Sequence, residues 1–284
     1  MKSEESLDAI SNRFVAITLN DLKNNCLKLP TLPEVATRVR QAIDDPNCTA
    51  TKIARTLEID ASLSARLVRL SNSALYRGTS PIDTVQAAIT RLGNKTVREV
   101  VTSLIMQQLF QTKSQVLKKR IQRLWLHSTE VAALSAIIAR RFTKLSVDKA
   151  MLAGLVHDIG ALPLLVRAED FPEVAQSDAA LDHIHDTLHA PIGKLILETW
   201  QFPAEIVAVP TEHENLTRDS AALDYSDIVL IANLHSYINT THRLATVRWA
   251  DIPVLHNVGL TPEDSVKLLE ETKAETNELK NMLH

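Results

Sequence analysis

An all-α fold is predicted from three features of the chain. Glycine is scarce, at 6 in 284 residues, alternating β-branched runs are few, and long Ala-, Leu- and Ile-rich stretches recur at helical spacing. Hydrophobic residues make up 45% of the sequence, enough for a sizeable core in one large domain or two smaller ones. Composition argues against several other classes. A formal net charge of -3 gives no overall electrostatic drive toward nucleic acid, and 4% aromatics leaves few stacking platforms for single strands. Two cysteines, Cys26 and Cys48, are too few for a metal knuckle or a secreted disulfide framework. The start, Met1-Lys2-Ser3-Glu4-Glu5, is acidic and unlike a signal peptide. No run of about 18 apolar residues offers a membrane span. The expectation is a cytoplasmic protein with no membrane association.

The elements follow in order. Leu7, Ile10, Phe14, Ile17 and Leu22 have helical spacing, which predicts an N-terminal helix within 1–28. Leu29-Pro30-Thr31-Leu32-Pro33 breaks the chain, and Pro33 suits the first position of a helix running to about Ile43. Asp44-Asp45-Pro46-Asn47 ends it. Two short helices, Thr49–Glu58 and Leu63–Leu70, then flank a polar corner. They have the form of a helix-turn-helix with Arg66 and Arg69 on its second helix. The same residues also read as a helical pair with Leu63, Leu67 and Leu70 in the core, and the scarcity of arginine favours that reading. Pro81-Ile82-Asp83-Thr84 opens a helix that Gly93 caps, and Lys95–Leu109 supplies another. The polar run Gln111–Gln115 separates an N-terminal subdomain, 29–112, from a second one, 113–245, with a C-terminal helical extension over 246–284.

In the second half, His127 lies on an amphipathic helix reaching about Phe142, and Asp148 begins the helix that carries His157 and Asp158. The stretch 161–180 is expected to loop through Pro163 and Phe171-Pro172, with a helix from about Ala190 to Trp200. Another starts at Phe202-Pro203 and reaches Glu212-His213-Glu214. Ile228–His235 reads as a buried helix, and Thr261-Pro262-Glu263-Asp264 opens the last one.

The chemistry centres on Ala153-Gly154-Leu155-Val156-His157-Asp158-Ile159-Gly160. Charged residues walled in by aliphatics are seldom fully buried unless paired or bound to a metal. His127, His157, Asp158, His189 and His213 fall on separate helical segments, and a bundle can point such residues at one shared metal. Neighbours on a regular helix diverge by about 100°. His157 and Asp158 therefore serve one centre only near a helix end, which Gly160 supplies. The plainer reading of the doublet is a buried ion pair capping a helix. His183 and His185 are expected in an exposed loop. His185 and His189 have the i, i+4 spacing of a zinc pair, but Pro191 argues against a helix through both.

A resemblance joins these pieces. Leu29-Pro30 with Pro33, the paired short helices, Leu70-Ser71-Asn72-Ser73-Ala74 and Ala87-Ala88-Ile89-Thr90-Arg91-Leu92-Gly93 together resemble the HDOD family over roughly Leu29 to Asn215. HDOD proteins are bacterial signalling modules related to the HD phosphohydrolases. The resemblance implies a multi-helical HD-like bundle carrying an N-terminal helical subdomain. His127 is similar to the first His of the HD pattern, and His157-Asp158 to its doublet. His189 is similar to the His of a His-x-x-x-Gly element completed by Gly193. Glu212-His213-Glu214 resembles the His-His-Glu of the HD-GYP branch, with Glu212 in place of the first His. Asn233 falls where a terminal Asp ligand is expected. Asn215-Leu216-Thr217-Arg218 contains no Gly-Tyr-Pro, so cyclic-dinucleotide phosphodiesterase activity is not expected.

The resemblance thus implies a signalling module acting through protein partners, with an HD-type site for iron, manganese, zinc or magnesium. Its metal ligands would be His127, His157, Asp158, His189 and His213. The alternative is a metal-dependent phosphohydrolase acting on a phosphate ester or nucleotide, with His157 and Asp158 as the catalytic doublet. DNA binding through residues 49–70 is a third and lesser reading.

Overall fold

A computed structural model describes residues 7–24, 26–45 and 47–283. The acidic start Met1–Glu5, Pro46 and His284 lie outside them. Among the described residues the secondary structure is helical, with no strand. The first helix, α1 (Leu7–Lys23), packs on α9 (Pro172–Ala175) and α10 (Asp178–Thr199) rather than on its sequence neighbours. Phe14 anchors it, edge-on to Phe171 with ring centroids 5.1 Å apart.

The N-terminal layer is α2 (Glu34–Asp44), α3 (Ala50–Leu57), α4 (Ala61–Ser71) and α5 (Val85–Ile105), with the first three packed around the fourth. Side-chain caps fix three of the starts. Thr49, Asp60 and Thr84 accept from the backbone N–H of Lys52, Leu63 and Ala87, satisfying donors that a helix start leaves free. Gly93, at φ +78°, divides α5 where the sequence places a cap. Leu63, Leu67 and Leu70 are buried, as the core reading of that pair expects. Arg66 donates to the main-chain carbonyls of Met282 and Leu283, so its guanidinium is occupied by the C-terminal helix.

The second layer is built on α6 (Lys118–Phe142), against which α7 (Val147–Val156) and α13 (Tyr225–Ser236) pack. Gly154 lets α7 lie close to α6. A Cβ there would come within 2.8 Å of the Ala132 Cα and the Val131 carbonyl. Next come α8 (Ala161–Ala168), α9 and α10, then the short α11 (Ala204–Val207) and α12 (Val209–Glu212). After α13, α14 (Pro253–Val258) leads to α15 (Pro262–Leu283), which packs on α4, α5 and α6 and bridges both layers. Arg40 adds a second bridge. It donates to the Trp200 and Gln201 carbonyls at 2.9 and 2.8 Å and lies over the Phe202 ring.

Two expectations are corrected. The stretch 161–180 is largely helical, because Pro163 falls in the first turn of α8 and Pro172 opens α9, where a missing N–H removes no helical bond. The helix over His189 begins at Asp178 and runs straight through Pro191. Pro191 and Thr187, whose carbonyl loses its partner, are both exposed, so water can satisfy that oxygen. The absence of a membrane span is expected, and one stretch bears on it. The stretch Val147–Ala168, with mean hydropathy 1.5, is long and apolar enough by composition to resemble one. It is 89% buried inside the protein and is interrupted by the turn at 157–160.

That turn rests on α10 at the closest backbone approach of any glycine. A Cβ on Gly160 would lie 2.0 Å from the His189 carbonyl oxygen and 2.5 Å from the Gly193 nitrogen. Backbone atoms on both sides leave nothing flexible to yield. Gly160→Ala is therefore expected to destabilise the protein by about 3 kcal/mol, read as a lower urea midpoint. An unchanged midpoint would mean that the turn and α10 do not meet this closely.

Candidate metal centre

Asp158 is 4% exposed, in the turn between α7 and α8. Five imidazoles converge on its carboxylate. Its Oδ2 lies 3.3 Å from His157 Nε2, 3.5 Å from His185 Nε2 and 3.9 Å from His127 Nε2. Its Oδ1 lies 3.4 Å from His213 Nε2 and 3.7 Å from His189 Nε2. The scaffold draws on four places. His127 comes from α6, the doublet from the end of α7, His185 and His189 from α10, and His213 from the end of α12. Helix α7 ends at Val156, and the doublet lies in the turn 157–160, where His157 keeps a helical backbone and its Nε2 still reaches Asp158 Oδ2.

Backbone carbonyls orient three of the rings. Nδ1–H donates to Gly154 O at 2.7 Å from His157, to His185 O at 2.6 Å from His189, and to Pro210 O at 3.0 Å from His213. His185 Nδ1 faces the Asp186 carboxylate at 3.5 Å. These partners assign the proton to Nδ1 and direct Nε2 at Asp158, the arrangement that outer-shell carbonyls and carboxylates give metal-binding histidines.

Electrostatics divides the rings into two kinds. Burial lowers His127 to about 3 and His189 to about 4, overriding the attraction of Asp158, so both stay neutral. At His185 burial opposes charge as well, but Asp158 and Asp186 outweigh it and push the ring up to about 10. His157 is also raised, with Asp158 overcoming its burial. Burial would raise Asp158, yet His157 and His185 hold it well below the usual carboxylate range.

Asp158 Oδ1 and His189 Nε2 are buried without a hydrogen-bond partner. A carboxylate oxygen thus faces an imidazole lone pair, an arrangement that repels unless a cation lies between them. Donors bound to one ion at about 2.1 Å sit roughly 3.0–3.5 Å from each other. The 3.2 Å between His127 Nε2 and His157 Nε2, and the contacts around Asp158, fall close to that spacing. The donor set therefore fits a divalent cation. Three groups have donor atoms within 4.8 Å of one another, namely His127/His157/Asp158, Asp158/His185/His189 and His189/His213/Glu214.

A cavity of about 820 Å³ opens beside the centre, lined by His127, Asp158, His185, Tyr237 and His242, with Arg120, Arg123 and Arg243 among its basic residues. Tyr237 stacks on His127 at 5.0 Å and on His242 at 3.7 Å, and its hydroxyl lies 3.2 Å from His127 Nε2. Burial raises its phenol, which keeps the proton in place.

The structure thus brings His127, His157, Asp158, His189 and His213 together. His213 is buried rather than in an exposed loop, because the end of α12 turns it inward. His185 is a correction. It lies on α10 with its ring stacked on His189 at 4.3 Å and reaches Asp158, while only His183 is exposed. The i, i+4 spacing was the signal that marked it. Tyr237 carried none. His235 packs in a separate place, against Trp249 at 5.0 Å. Asn233 is buried with its Oδ1 unpartnered.

Comparison with known proteins identifies the family. Residues 29–216 match the HDOD domain. The chain belongs to the HDOD family. A crystal structure from Shewanella amazonensis SB2B, provisionally named a metal-dependent phosphohydrolase, is 29% identical, with TM-score 0.84 over 97% of this chain and 100% of that one. An HDOD domain protein of unknown function from Geobacter sulfurreducens is 20% identical, with TM-score 0.62 over 96% of this chain and 97% of that one, and shares the fold. A relative of uncharacterised function from Treponema pallidum (strain Nichols) is 23% identical over 255 residues. The match covers 84% of this HDOD chain, which spans only 44% of that protein's length.

Arg218, which the sequence did not single out, holds the His213 segment against α13. Its guanidinium bonds Glu212, Asp224 and Asp227, and Asp227 is fully buried. Glu212 is engaged by Arg218 and Asn215, which makes it an anchor for this segment. Arg218→Ala would leave Asp227 buried without its cation. A loss of about 3 kcal/mol in urea unfolding is expected, with partial recovery in Arg218→Lys.

Proposed function

We propose that this HDOD-family protein is a metal-dependent phosphohydrolase acting on phosphate esters. The observation that carries the reading is the convergence of imidazole nitrogens on one buried carboxylate beside an open cavity. The name of the 29%-identical Shewanella amazonensis structure supports it.

His127, His157, Asp158, His189 and His213 would hold the ion. A bound divalent cation supplies Lewis-acid polarisation of a phosphoryl oxygen and acidifies water. The chain's own groups do the rest. Gly154, His185 and Pro210 carbonyls hold three imidazoles in the tautomer that presents Nε2. Tyr237, protonated and beside His127, offers a hydroxyl donor at the cavity wall. Arg243, paired with Glu214 at 2.7 Å, places positive charge where a phosphate would enter.

A second reading is favoured by Asn233. A neutral amide where the HD pattern expects a terminal carboxylate weakens a catalytic centre, which suits a signalling module acting through protein partners.

Chelator-stripped protein reloaded with manganese(II) is expected to hydrolyse bis(p-nitrophenyl) phosphate. Asp158→Ala should lose both the metal and, at several kcal/mol of transition-state stabilisation, on the order of a thousandfold in rate. Metal content and turnover that persist in Asp158→Ala would overturn the proposal. A wild-type protein that holds metal but turns nothing over would favour the signalling reading.

A further inference from the structure

The cavity beside the centre is far larger than a phosphate group requires. At about 820 Å³ it has the size of a site whose ligand rests mainly on apolar side chains and is oriented by a few polar groups. The two kinds of lining are separated along the helices. His127, Asp158, Tyr237, His242 and Arg243 gather polar groups at one end. The aliphatic lining is Leu124 and Leu126 of α6, Leu164 and Leu165 of α8, and Leu181 and Ile184 of α10. Leu126 and Ile184 directly precede His127 and His185, so this apolar surface begins at the centre itself. Toward the starts of both helices, Arg120 of α6 bonds Asp178 and Asp182 of α10, and Arg123 meets Asp178 at 3.4 Å. Arg120 lies two turns before His127, about 10 Å along the helix at the usual rise per residue. The cavity therefore runs between α6 and α10 from the centre, past the leucines, to this ion network.

We infer that the site takes phosphate esters of apolar alcohols, with the alkyl part lying on the leucines of α6, α8 and α10. The polar side chains beyond them answer one another, since Arg120 serves both aspartates and Glu130 pairs with Lys280 at 3.2 Å. A nucleobase edge or a sugar would have to break such pairs in order to be read, whereas an alkyl chain needs no partner. Leu164, Leu165, Leu181 and Ile184 are buried walls fixed by the core, and Leu126 is 49% exposed at the rim. These side chains would set which alcohol is accepted and take no part in the chemistry. This deepens the phosphohydrolase reading and rests on it.

The test reads binding rather than turnover. Full-length protein loaded with manganese(II) is titrated by calorimetry with ethyl-, butyl-, hexyl- and octylphosphonate, which keep a phosphate-like head and resist hydrolysis. Wild-type affinity is expected to rise about threefold per added methylene, with a heat capacity of binding that grows more negative along the series. Leu126→Asn puts an amide in the path of the chain and is expected to cut the octyl-to-ethyl affinity ratio about tenfold. Its exposure allows the variant to fold, checked by its urea midpoint, and the wild-type series decides the matter without any variant. Val166→Asn, at an exposed α8 position outside the cavity lining, should keep the wild-type ratio. Equal affinity for ethyl- and octylphosphonate, or adenosine monophosphate binding more tightly than octylphosphonate, would overturn the inference and leave the phosphate reading intact. A wild-type ratio in folded Leu126→Asn would also overturn it. If no phosphonate binds at all, the phosphate reading falls and takes the inference with it.

Discussion

The structure depends on keeping the carboxylate of Asp158 out of water. An ionised carboxylate in a low-dielectric interior is strongly unfavourable unless positive charge or a metal answers it. Here the answer comes from segments far apart in sequence, so the fold must bring α6, the end of α7, α10 and α12 to one point. Glycine makes this convergence sterically possible. Gly154 allows α7 to lie against α6, Gly160 seats the doublet's turn on α10, and Gly193 leaves room for Pro210 next to His213. A side chain at any of these positions would hold the ligands apart. The glycines and histidines are thus parts of one geometric requirement.

The remaining layers brace that convergence. Helix α1 packs on α10, and Arg167 of α8 pairs with its Asp21 at 2.6 Å. Helix α15 ties the N-terminal layer to α6 through Arg66, through Arg140 and Arg141 with Glu275 and Glu271, and through Lys280 with Glu130. Glu130 also lines the cavity, so the C-terminal helix reaches the wall of the candidate site. The pairing that the sequence could read as DNA-binding is instead part of this bracing, with Arg66 turned onto the α15 carbonyls and its leucines in the core.

Much of the site was legible because its determinants are local. A His-Asp doublet set among aliphatics and followed by Gly160 announces a buried charge near a helix end, and its family resemblance supplies His127, His189 and His213. What stayed hidden depends on partners distant in sequence. Tyr237 looks like any helix-end tyrosine until His127 and His242 are seen on its two faces. Arg218 looks like a loop cation until Asp227 is found buried beneath it.

The sequence by itself determined the helical class, the pair of short helices about a polar corner, the helix opening at Pro81–Thr84, the break at Gly93 and the doublet at the heart of the site. These follow from side-chain size, polarity and backbone freedom within a few residues. Only the tertiary structure decided that α10 passes through Pro191 and so delivers His185 to Asp158. The proline rule concerns one lost hydrogen bond. Whether that loss breaks a helix depends on whether the freed carbonyl faces water or core, and only the packing of α10 settles which side faces out.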